Sequence, residues 1–316
     1  MEAEFLYNPD NTGIHAHCAT LHETHAGELF AVWYAHPDKE DYKEAQLCIA
    51  KRRSNGTWER SRPLLGKFNS SVGNPLLYQN PGSDRLWLLF VFLQGNYWND
   101  AVLHSSFSDD GGYTWSQPAV AWPDKGLMVR HPPILLADKT LLLPAYDEIN
   151  FHSLLLQFVA DEWDIRDAFP DVPLIQPSLF REQNGQLTMF FRPSDDPRVI
   201  WRAHSKDEAK TWSPLIRTAL PCPLSGVSGF SLQDLSAVVY NHSEHKRTPL
   251  SISVTKDSGI TWSDPWHIDE VPYEISYPHF ITTTDKKIHG VYTYNRRMIK
   301  HVTFSLDELR NSTHTN

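Results

Sequence analysis

Polar side chains recur at similar places along this chain, and their types suit the binding of a small polar molecule. Six short segments, spaced roughly fifty residues apart, each place polar residues near the expected start of a strand: His15–His17, Asn74–Pro75, Arg130–His131, Gln176–Pro177, Ser225–Ser228 and Tyr277–Pro278. Later in the repeats come Arg192, Arg247 and Arg296. The two sets together favour a pocket for a small molecule.

A turn motif indicates the elements that must position these side chains. Three copies of Ser/Thr-x-Asp-x-Gly-x-Thr-Trp occur, at Ser108–Trp115, Ser205–Trp212 and Thr255–Trp262. The Asp can accept hydrogen bonds from turn N–H groups, and Gly takes the positive φ that the turn requires. The second copy has Ala209 in the glycine position. Each copy of this motif, the Asp-box, predicts a hairpin turn between two strands.

The spacing of the copies predicts the number of repeats. Trp115 and Trp212 lie 97 residues apart, and Trp212 and Trp262 lie 50 apart. Degenerate copies are expected at Ala160–Trp163, in the middle of the longer gap, and at Ser54–Trp58, upstream of the first box. A period near fifty residues is typical of propellers and solenoids. Five tryptophan-marked turns and one terminal repeat without a marker predict six units.

Short apolar segments supply the strands of these units. They are bounded by turn residues and lie at Leu86–Phe92, Thr140–Leu143, Leu187–Phe191, Ala237–Tyr240 and Ile288–Thr293. No long stretch shows a helical period of 3.6 residues. Such repeats cannot bury their faces alone. The sequence therefore predicts an all-β fold, a six-bladed β-propeller that forms one domain over residues 1–316.

Composition narrows the classes of partner. The net charge of −9 and the lack of a basic run argue against nucleic-acid binding, so any anionic substrate must meet a local basic pocket. The sequence contains no apolar run of 18 residues, so it predicts no membrane span. The first residues show no secretory signal, and Cys18, Cys48 and Cys222 form no CxxC motif. We expect a cytoplasmic protein, or a secreted one if a leader was removed. No motif indicates a cofactor or an oligomeric state.

The order of these segments resembles a known family. From about His15 to Leu309 the chain is similar to the sialidase-like proteins with Asp-boxes, also called BNR-repeat or predicted neuraminidase proteins. The segments that carry the resemblance are Asn74–Pro75, Arg85–Leu88, Ser108–Trp115, Ile175–Pro177, Val239–Ser243, Arg247–Leu250, Ser276–Pro278, Tyr292–Arg296 and Ile299–His301. The Asp-boxes alone are weak signals of function, whereas the combination in this order is specific for the family.

The resemblance implies a retaining exo-glycosidase that acts on a terminal acidic sugar. Sialidases use a tyrosine nucleophile, which suits an anionic substrate because a neutral phenol does not repel a carboxylate. The phenol needs a neighbouring base, a separate Asp or Glu protonates the leaving group, and arginines clamp the substrate carboxylate.

The resemblance assigns these roles to particular residues. Tyr277 is the expected nucleophile, with Glu274 as a substitute base; Asp147 is the alternative base. Arg192 and Arg247 are the expected clamp, with Arg130 and Arg296 as additions. The acid is expected on the loop Ala35–Glu44, with Glu40 first and Asp38 and Asp41 as alternatives. Further expected pocket residues are Gln176, Asn74, His15, His17 and Trp98, the last beside Tyr97 on a loop that suits sugar stacking.

Two features depart from the pattern of sialidases. No Phe/Tyr-Arg-Ile-Pro segment supplies a first clamp arginine, and His15 and His17 stand near that place. Gln176 occupies the position expected for the glutamate base, and an amide cannot accept the proton of Tyr277. A non-catalytic propeller that binds a glycan or a protein is therefore the alternative function.

The paired histidines also raise the question of a metal. His15 and His17 would point to the same face of a strand, a spacing found at metal sites. No third ligand is convincingly placed near them, so the sequence predicts no metal.

Overall fold

A computed structural model describes residues 1–9, 15–36, 45–66 and 70–313. The strands in chain order are β1 (Glu2–Tyr7), β2 (His15–Glu23), β3 (Leu29–His36), β4 (Gln46–Lys51), β5 (Arg62–Pro63), β6 (Val72–Gln79), β7 (Leu86–Leu93), β8 (Ala101–Ser108), β9 (Ala119–Trp122), β10 (Leu127–Val129), β11 (Ile134–Leu135), β12 (Leu141–Asp147), β13 (His152–Val159), β14 (Glu162–Phe169), β15 (Leu174–Arg181), β16 (Leu187–Pro193), β17 (Val199–Ser205), β18 (Ile216–Pro221), β19 (Ser228–Leu232), β20 (Leu235–Asn241), β21 (Leu250–Thr255), β22 (Trp266–Asp269), β23 (Ile275–Thr282), β24 (Lys287–Tyr294) and β25 (Met298–Ser305). A 3-10 turn spans Trp98–Asp100, and the helix α1 spans Leu306–Ser312.

In the described parts of the chain, these strands form six antiparallel sheets, the blades of a β-propeller. Blades 1 to 5 follow the chain as β2–β5, β6–β9, β10–β14, β15–β18 and β19–β22, and blade 6 has the order β1-β25-β24-β23. The first strand is thus the outer strand of the last blade, where Glu4 pairs with His301. This arrangement confirms the predicted all-β, six-bladed fold. It also shows that β1 closes the ring of blades by pairing with β25.

The second strand of a blade carries much of its buried surface. All five apolar segments noted in the sequence lie on such strands, namely β7, β12, β16, β20 and β24. In β20 every residue is buried, because neighbouring blades cover both faces of the sheet. Continuous apolar runs are typical of strands covered on both faces, which explains why these were readable from the sequence.

The three Asp-boxes connect the third and fourth strands of blades 2, 4 and 5. In the first, Asp110 accepts hydrogen bonds from the backbone N–H groups of Tyr113 (3.0 Å) and Thr114 (2.9 Å) and from the Ser108 hydroxyl (2.7 Å). Hydrogen bonds from Thr114 are the main cause that lowers the pKa of Asp110. Ala209 fills the glycine position of the second box with a φ of +58°. The side-chain hydrogen bonds that stabilise each of these turns are therefore made within the box itself.

The two degenerate copies differ from each other. In Ser54–Trp58, the side chain of Asn55 accepts hydrogen bonds from the N–H (3.1 Å) and hydroxyl (2.7 Å) of Thr57, much as the Asp of a box does. The expected copy at Ala160–Trp163 is wrong: Ala160 and Asp161 both have positive φ and form a two-residue hairpin between β13 and β14. A two-residue turn with positive φ at both residues matches the twist of the two strands through its backbone conformation alone, so it does not need the hydrogen bonds of an Asp-box.

Replacing Gly112 with Ala should lower the free energy of unfolding by about 1 kcal/mol. Gly112 has a φ of +86°, which is unfavourable for a residue with a Cβ atom. The new methyl would meet its nearest neighbour, Phe30, at an ordinary 3.5 Å, so backbone strain dominates. Urea unfolding measures the loss, and Gly66→Ala is the control because its site is open and lacks a positive φ. Equal losses in both variants would contradict the strain argument.

Acid should destabilise the fold through buried histidines. In blade 6, His289 Nδ1 lies 3.0 Å from His301 Nε2, and the indole of Trp58 in blade 1 donates to His301 Nδ1. Burial, then the charge of Arg52, lowers the pKa of His289 to about 4. Below pH 6.5 the unfolded chain therefore binds a proton that the folded chain does not, which costs about 1.4 kcal/mol per pH unit for each such histidine.

Urea unfolding between pH 7.5 and pH 4.5 tests this expectation. Stability should fall below about pH 6.5, and His289→Leu should show a shallower fall because it has one titrating group fewer. An unchanged slope in the variant would show that other groups govern the acid response.

No helix in the described part of the chain is long and apolar enough to cross a membrane.

Candidate functional site

A bulge recurs near the start of the innermost strand in four blades. Its central residues are Cys18 in β2, Asn74 in β6, Gln176 in β15 and Tyr277 in β23, with φ between +46° and +58°. At each of them the register with the second strand shifts. Bulges re-aim side chains, and non-glycine residues with positive φ are concentrated at functional sites. The proline that follows three of these residues suits a bulge better than a regular ladder.

The bulge residues contact one another across the blades. Cys18 Sγ donates to Asn74 Oδ1 (3.0 Å), while the amide groups of Asn74 (2.9 Å) and Gln176 (3.3 Å) both donate to the Tyr146 hydroxyl oxygen. Arg192 Nη1 then donates to Gln176 Oε1 (3.0 Å) and to the Tyr277 hydroxyl oxygen (3.1 Å). Blades 1, 2, 3, 4 and 6 are thus joined by one hydrogen-bonded network at the propeller axis.

Cationic and aromatic groups surround Tyr277. The guanidinium carbon of Arg130 lies 5.8 Å from the centre of its ring, and that of Arg247 lies 5.5 Å away. The ring of His17 packs edge-on at 4.4 Å between centroids. Arg130 also donates to the carbonyl oxygens of Tyr277 (2.8 Å) and Pro278 (3.2 Å). These hydrogen bonds stabilise the backbone of the bulge at Tyr277.

Arg130 and Arg192 have no carboxylate partner among the described residues. Arg130 is 1% exposed, and its Nε and Nη1 atoms have no hydrogen-bond acceptor among the described residues. The buried Nε atom of Arg192 also lacks an acceptor there. Burying a charge is unfavourable unless it is paired. The axis is therefore a positive site in a chain whose net charge is −9, as the sequence requires for an anionic ligand.

Glu274 is held by other cations and not by the nucleophile candidate. Its carboxylate accepts from Arg247 Nη1 (3.0 Å), Arg296 Nε (2.9 Å) and the Ser276 hydroxyl (2.5 Å). Although burial acts to raise its pKa, Arg247, Ser276 and Arg296 together lower it to about 2. A carboxylate so stabilised is a weak proton acceptor, and the role of Glu274 as the base for Tyr277 stays a prediction.

The other predicted residues lie at different distances from this centre. His15 stacks on His36, with 5.5 Å between the ring centroids. Trp98 packs on Gly73, where an added Cβ would meet its ring at 2.5 Å, so one face of the indole is already covered. Among the described residues, no group of three or more His, Cys, Asp or Glu could hold a metal ion. Glu40, with Asp38 and Asp41, lies outside the described residues.

Two residues near the axis were not singled out as site residues by sequence reasoning. Tyr146 is the buried phenol that accepts from Asn74 and Gln176. Glu148 follows it by two residues; burial raises the pKa of Glu148, and the charge of Arg192 acts to lower it. Tyr146 is the next-to-last residue of β12, as Arg192 is of β16, so the repeat spacing was a usable signal for Tyr146; Glu148 lies just beyond β12. Asp147, the alternative base, instead caps its own turn by accepting from the Ile149 N–H (2.6 Å).

The Asp-boxes lie at the opposite ends of the blades. In blade 2, Gly73 beside Asn74 pairs with Val91 near the end of β7, whereas Ser108 of the box pairs with Leu86 at its start. The site and the boxes therefore occupy opposite faces of the propeller.

A depression and a groove in the described part of the chain lie outside the axial network. A depression of about 1030 Å³ adjoins Arg247 and Glu274 at the rim of blades 5 and 6. A groove of about 810 Å³, with Trp87, Trp122 and Trp163 among its lining residues, runs along the outer strands of blades 2 and 3 and contains none of the predicted site residues.

Solved structures share this fold at low sequence identity. The Hadza microbial sialidase Hz136 is 18% identical, with a TM-score of 0.79 over 93% of this chain and 66% of that one. A protein of unknown function from Dyadobacter fermentans DSM 18053 is 15% identical, with a TM-score of 0.77 over 96% and 97%. The intramolecular trans-sialidase from Ruminococcus gnavus, in complex with oseltamivir carboxylate, is 14% identical, with a TM-score of 0.76 over 93% and 95%.

These likenesses show the sialidase-like fold alone. The chain spans about two thirds of the length of Hz136. No curated protein sequence matches the chain. The model of the BNR repeat-like domain family matches residues 27–290, which is most of the sequence. The chain therefore belongs to the BNR repeat-like domain family, whose sialidase-like members its fold resembles.

Proposed function

We propose that the protein is an exo-acting glycoside hydrolase for a terminal sugar that carries a carboxylate, bound at the propeller axis. The observation that carries this proposal is a pair of arginines, the buried Arg130 and the half-buried Arg192, whose guanidinium groups have no carboxylate partner among the described residues. An anionic ligand would supply the negative charge that these two guanidinium groups lack. A planar guanidinium also matches the geometry of a carboxylate.

Arg192 is the residue best placed to meet the ligand. It is only half-buried, and its Nη1 atom already contacts both Gln176 and Tyr277. A carboxylate bound to the outer edge of this guanidinium would lie next to the Tyr277 hydroxyl. Charge–charge attraction is strong in such a site because little water screens it.

Tyr277 is the proposed nucleophile. Its oxygen accepts a hydrogen bond from Arg192, and the guanidinium groups of Arg130 and Arg247 lie within 6 Å of the centre of its ring. These groups would stabilise negative charge on the phenol oxygen as it attacks the anomeric carbon. The Ruminococcus gnavus relative binds oseltamivir carboxylate, which supports a carboxylate-bearing sugar as the first ligand class to test.

A second function remains supported by one observation. Gln176 occupies the network position next to Tyr277, and an amide cannot take a proton. A propeller that binds an acidic glycan without cleaving it would keep the arginines and have no need of a base there.

Binding and turnover should be measured separately on the whole chain. Calorimetry with N-acetylneuraminic acid, glucuronic acid and galacturonic acid, each against its methyl ester, tests the anion site; we expect the ester to bind at least about tenfold more weakly, since it loses a charged hydrogen bond. A panel of 4-methylumbelliferyl glycosides of the same sugars and of galactose tests hydrolysis. Binding without turnover would support the second function, and preference for the neutral sugars would overturn both.

A further inference from the structure

The backbone directs Glu148 towards the axial site. The ladder between β10 and β12 pairs Leu127 with Asp147, and it continues for one more residue because the Glu148 N–H donates to the Gly126 carbonyl (2.9 Å). Side chains alternate along such a ladder, so Glu148 lies on the same side as Tyr146. Since Tyr146 reaches Asn74 and Gln176 at the axis, Glu148 is one step nearer the rim of that site.

Glu148 is half-buried, and its carboxylate has no polar partner among the described residues. It makes no hydrogen bond or ion pair with any residue in the described ranges, whereas the neighbouring Asp147 uses its two oxygens on Ile149 and Asn150. Such a side chain has no role in holding the turn. It can therefore change its protonation or contact a ligand without loss of structure.

The charges around Glu148 suit proton exchange. Burial raises its pKa above the usual range, Arg192 of blade 4 opposes this, and Asp147 adds to it. A glutamic acid with a raised pKa holds its proton nearer to neutral pH, where a general acid must work. Glu274 cannot take this role, because two arginines hold it as a carboxylate.

We propose that Glu148 is the proton-transferring residue of the axial site, a role that rests on the proposed hydrolase function. In the first step Glu148 gives its proton to the glycosidic oxygen as the bond from that oxygen to the anomeric carbon breaks. The bonding pair leaves with the alcohol product. The Tyr277 oxygen forms the new bond to the anomeric carbon and releases its proton to water.

The second step restores the enzyme. The Glu148 carboxylate takes a proton from a water molecule, whose oxygen bonds to the anomeric carbon. The bond to the Tyr277 oxygen breaks, and that oxygen regains a proton from water. The net reaction is hydrolysis, and no oxidant, reductant or metal is needed.

Leaving-group dependence tests the role of Glu148. A general acid is needed most when the leaving group is a poor one. On alkyl glycosides of the sugar that binds, Glu148→Gln should lower kcat/KM by about 10² to 10⁴-fold. On the matching 2,4-dinitrophenyl glycoside, whose leaving group needs no proton, we expect a loss below about fivefold. The alkaline limb of the pH profile of kcat/KM should also disappear in the variant. Calorimetry should show unchanged sugar binding, and the thermal midpoint should not move.

Two control variants make the outcome decisive. Glu162→Gln changes an exposed glutamate at the other end of the same blade and should leave both substrates unaffected. Glu40→Gln tests the acid expected from the sequence. If Glu40→Gln shows the leaving-group dependence and Glu148→Gln does not, Glu148 is not the acid. Wild-type protein that binds the acidic sugar but cleaves no glycoside overturns the role of Glu148 and leaves the anion site intact. Wild-type protein that does not bind the sugar overturns the proposed function itself.

Discussion

Tyr277→Phe is expected to lower turnover of the acidic glycoside by at least about 10³-fold, because the variant lacks the oxygen that bonds to the anomeric carbon. The ring should keep its place, since the contacts of His17 and Arg247 are with the ring and those of Arg130 also reach the Tyr277 carbonyl. Sugar binding should therefore change by less than about threefold, a difference below 1 kcal/mol. Single-turnover kinetics and calorimetry measure the two effects.

The control for this variant is another buried tyrosine that bonds to a side chain away from the axis. Tyr292 donates to Asp269 (2.7 Å) between blades 5 and 6. Tyr292→Phe should lower stability without changing turnover, because it breaks a buried hydrogen bond that is not part of the axial network. If Tyr277→Phe keeps full activity, Tyr277 is not the nucleophile.

Arg192→Gln is expected to weaken binding of the acidic sugar by about 2 to 3 kcal/mol, roughly 30- to 150-fold. The variant removes a charged hydrogen-bond donor from a site that is partly shielded from water. The methyl ester of the same sugar should lose much less affinity, since it carries no charge to pair. Calorimetry at two salt concentrations measures both losses.

Arg217→Gln provides the matched control. It removes the same charge from an exposed arginine that stacks on Trp201 in blade 4, and it should leave affinity for both ligands unchanged. Equal losses for the acid and its ester in Arg192→Gln would mean that the arginine maintains the shape of the site and does not pair with the carboxylate.

Parts of the axial site were readable from the sequence because they repeat with the blades. Asn74, Gln176 and Tyr277 each precede a proline near the start of a strand. Their shared position predicted that they meet, and they join one network with Tyr146 and Arg192. A propeller brings equivalent positions of every blade to one axis, so residues that recur with the period of the blades lie close together in the folded protein.

Other parts depended on neighbours that the sequence could not reveal. Glu274 lies three residues before Tyr277 and was expected to be its base, yet Arg247 and Arg296 hold its carboxylate. Glu148 gave no motif, and only its place beside Arg192 makes it a candidate. Whether a carboxylate is a base, an acid or one half of an ion pair depends on which charges the fold brings close to it.

The architecture could be predicted from the sequence alone. Three Asp-boxes, a near-fifty-residue period and five apolar second strands specified a six-bladed propeller, because turn residues and periodicity act over a few positions and need no distant partner. Three features could be seen only in the folded protein: the ring closure by β1, the left-handed bulges that turn side chains to the axis, and the pairing of each charge. Those features arise between residues that lie tens to hundreds of positions apart, where packing and electrostatic attraction, and not local preference, select the partner.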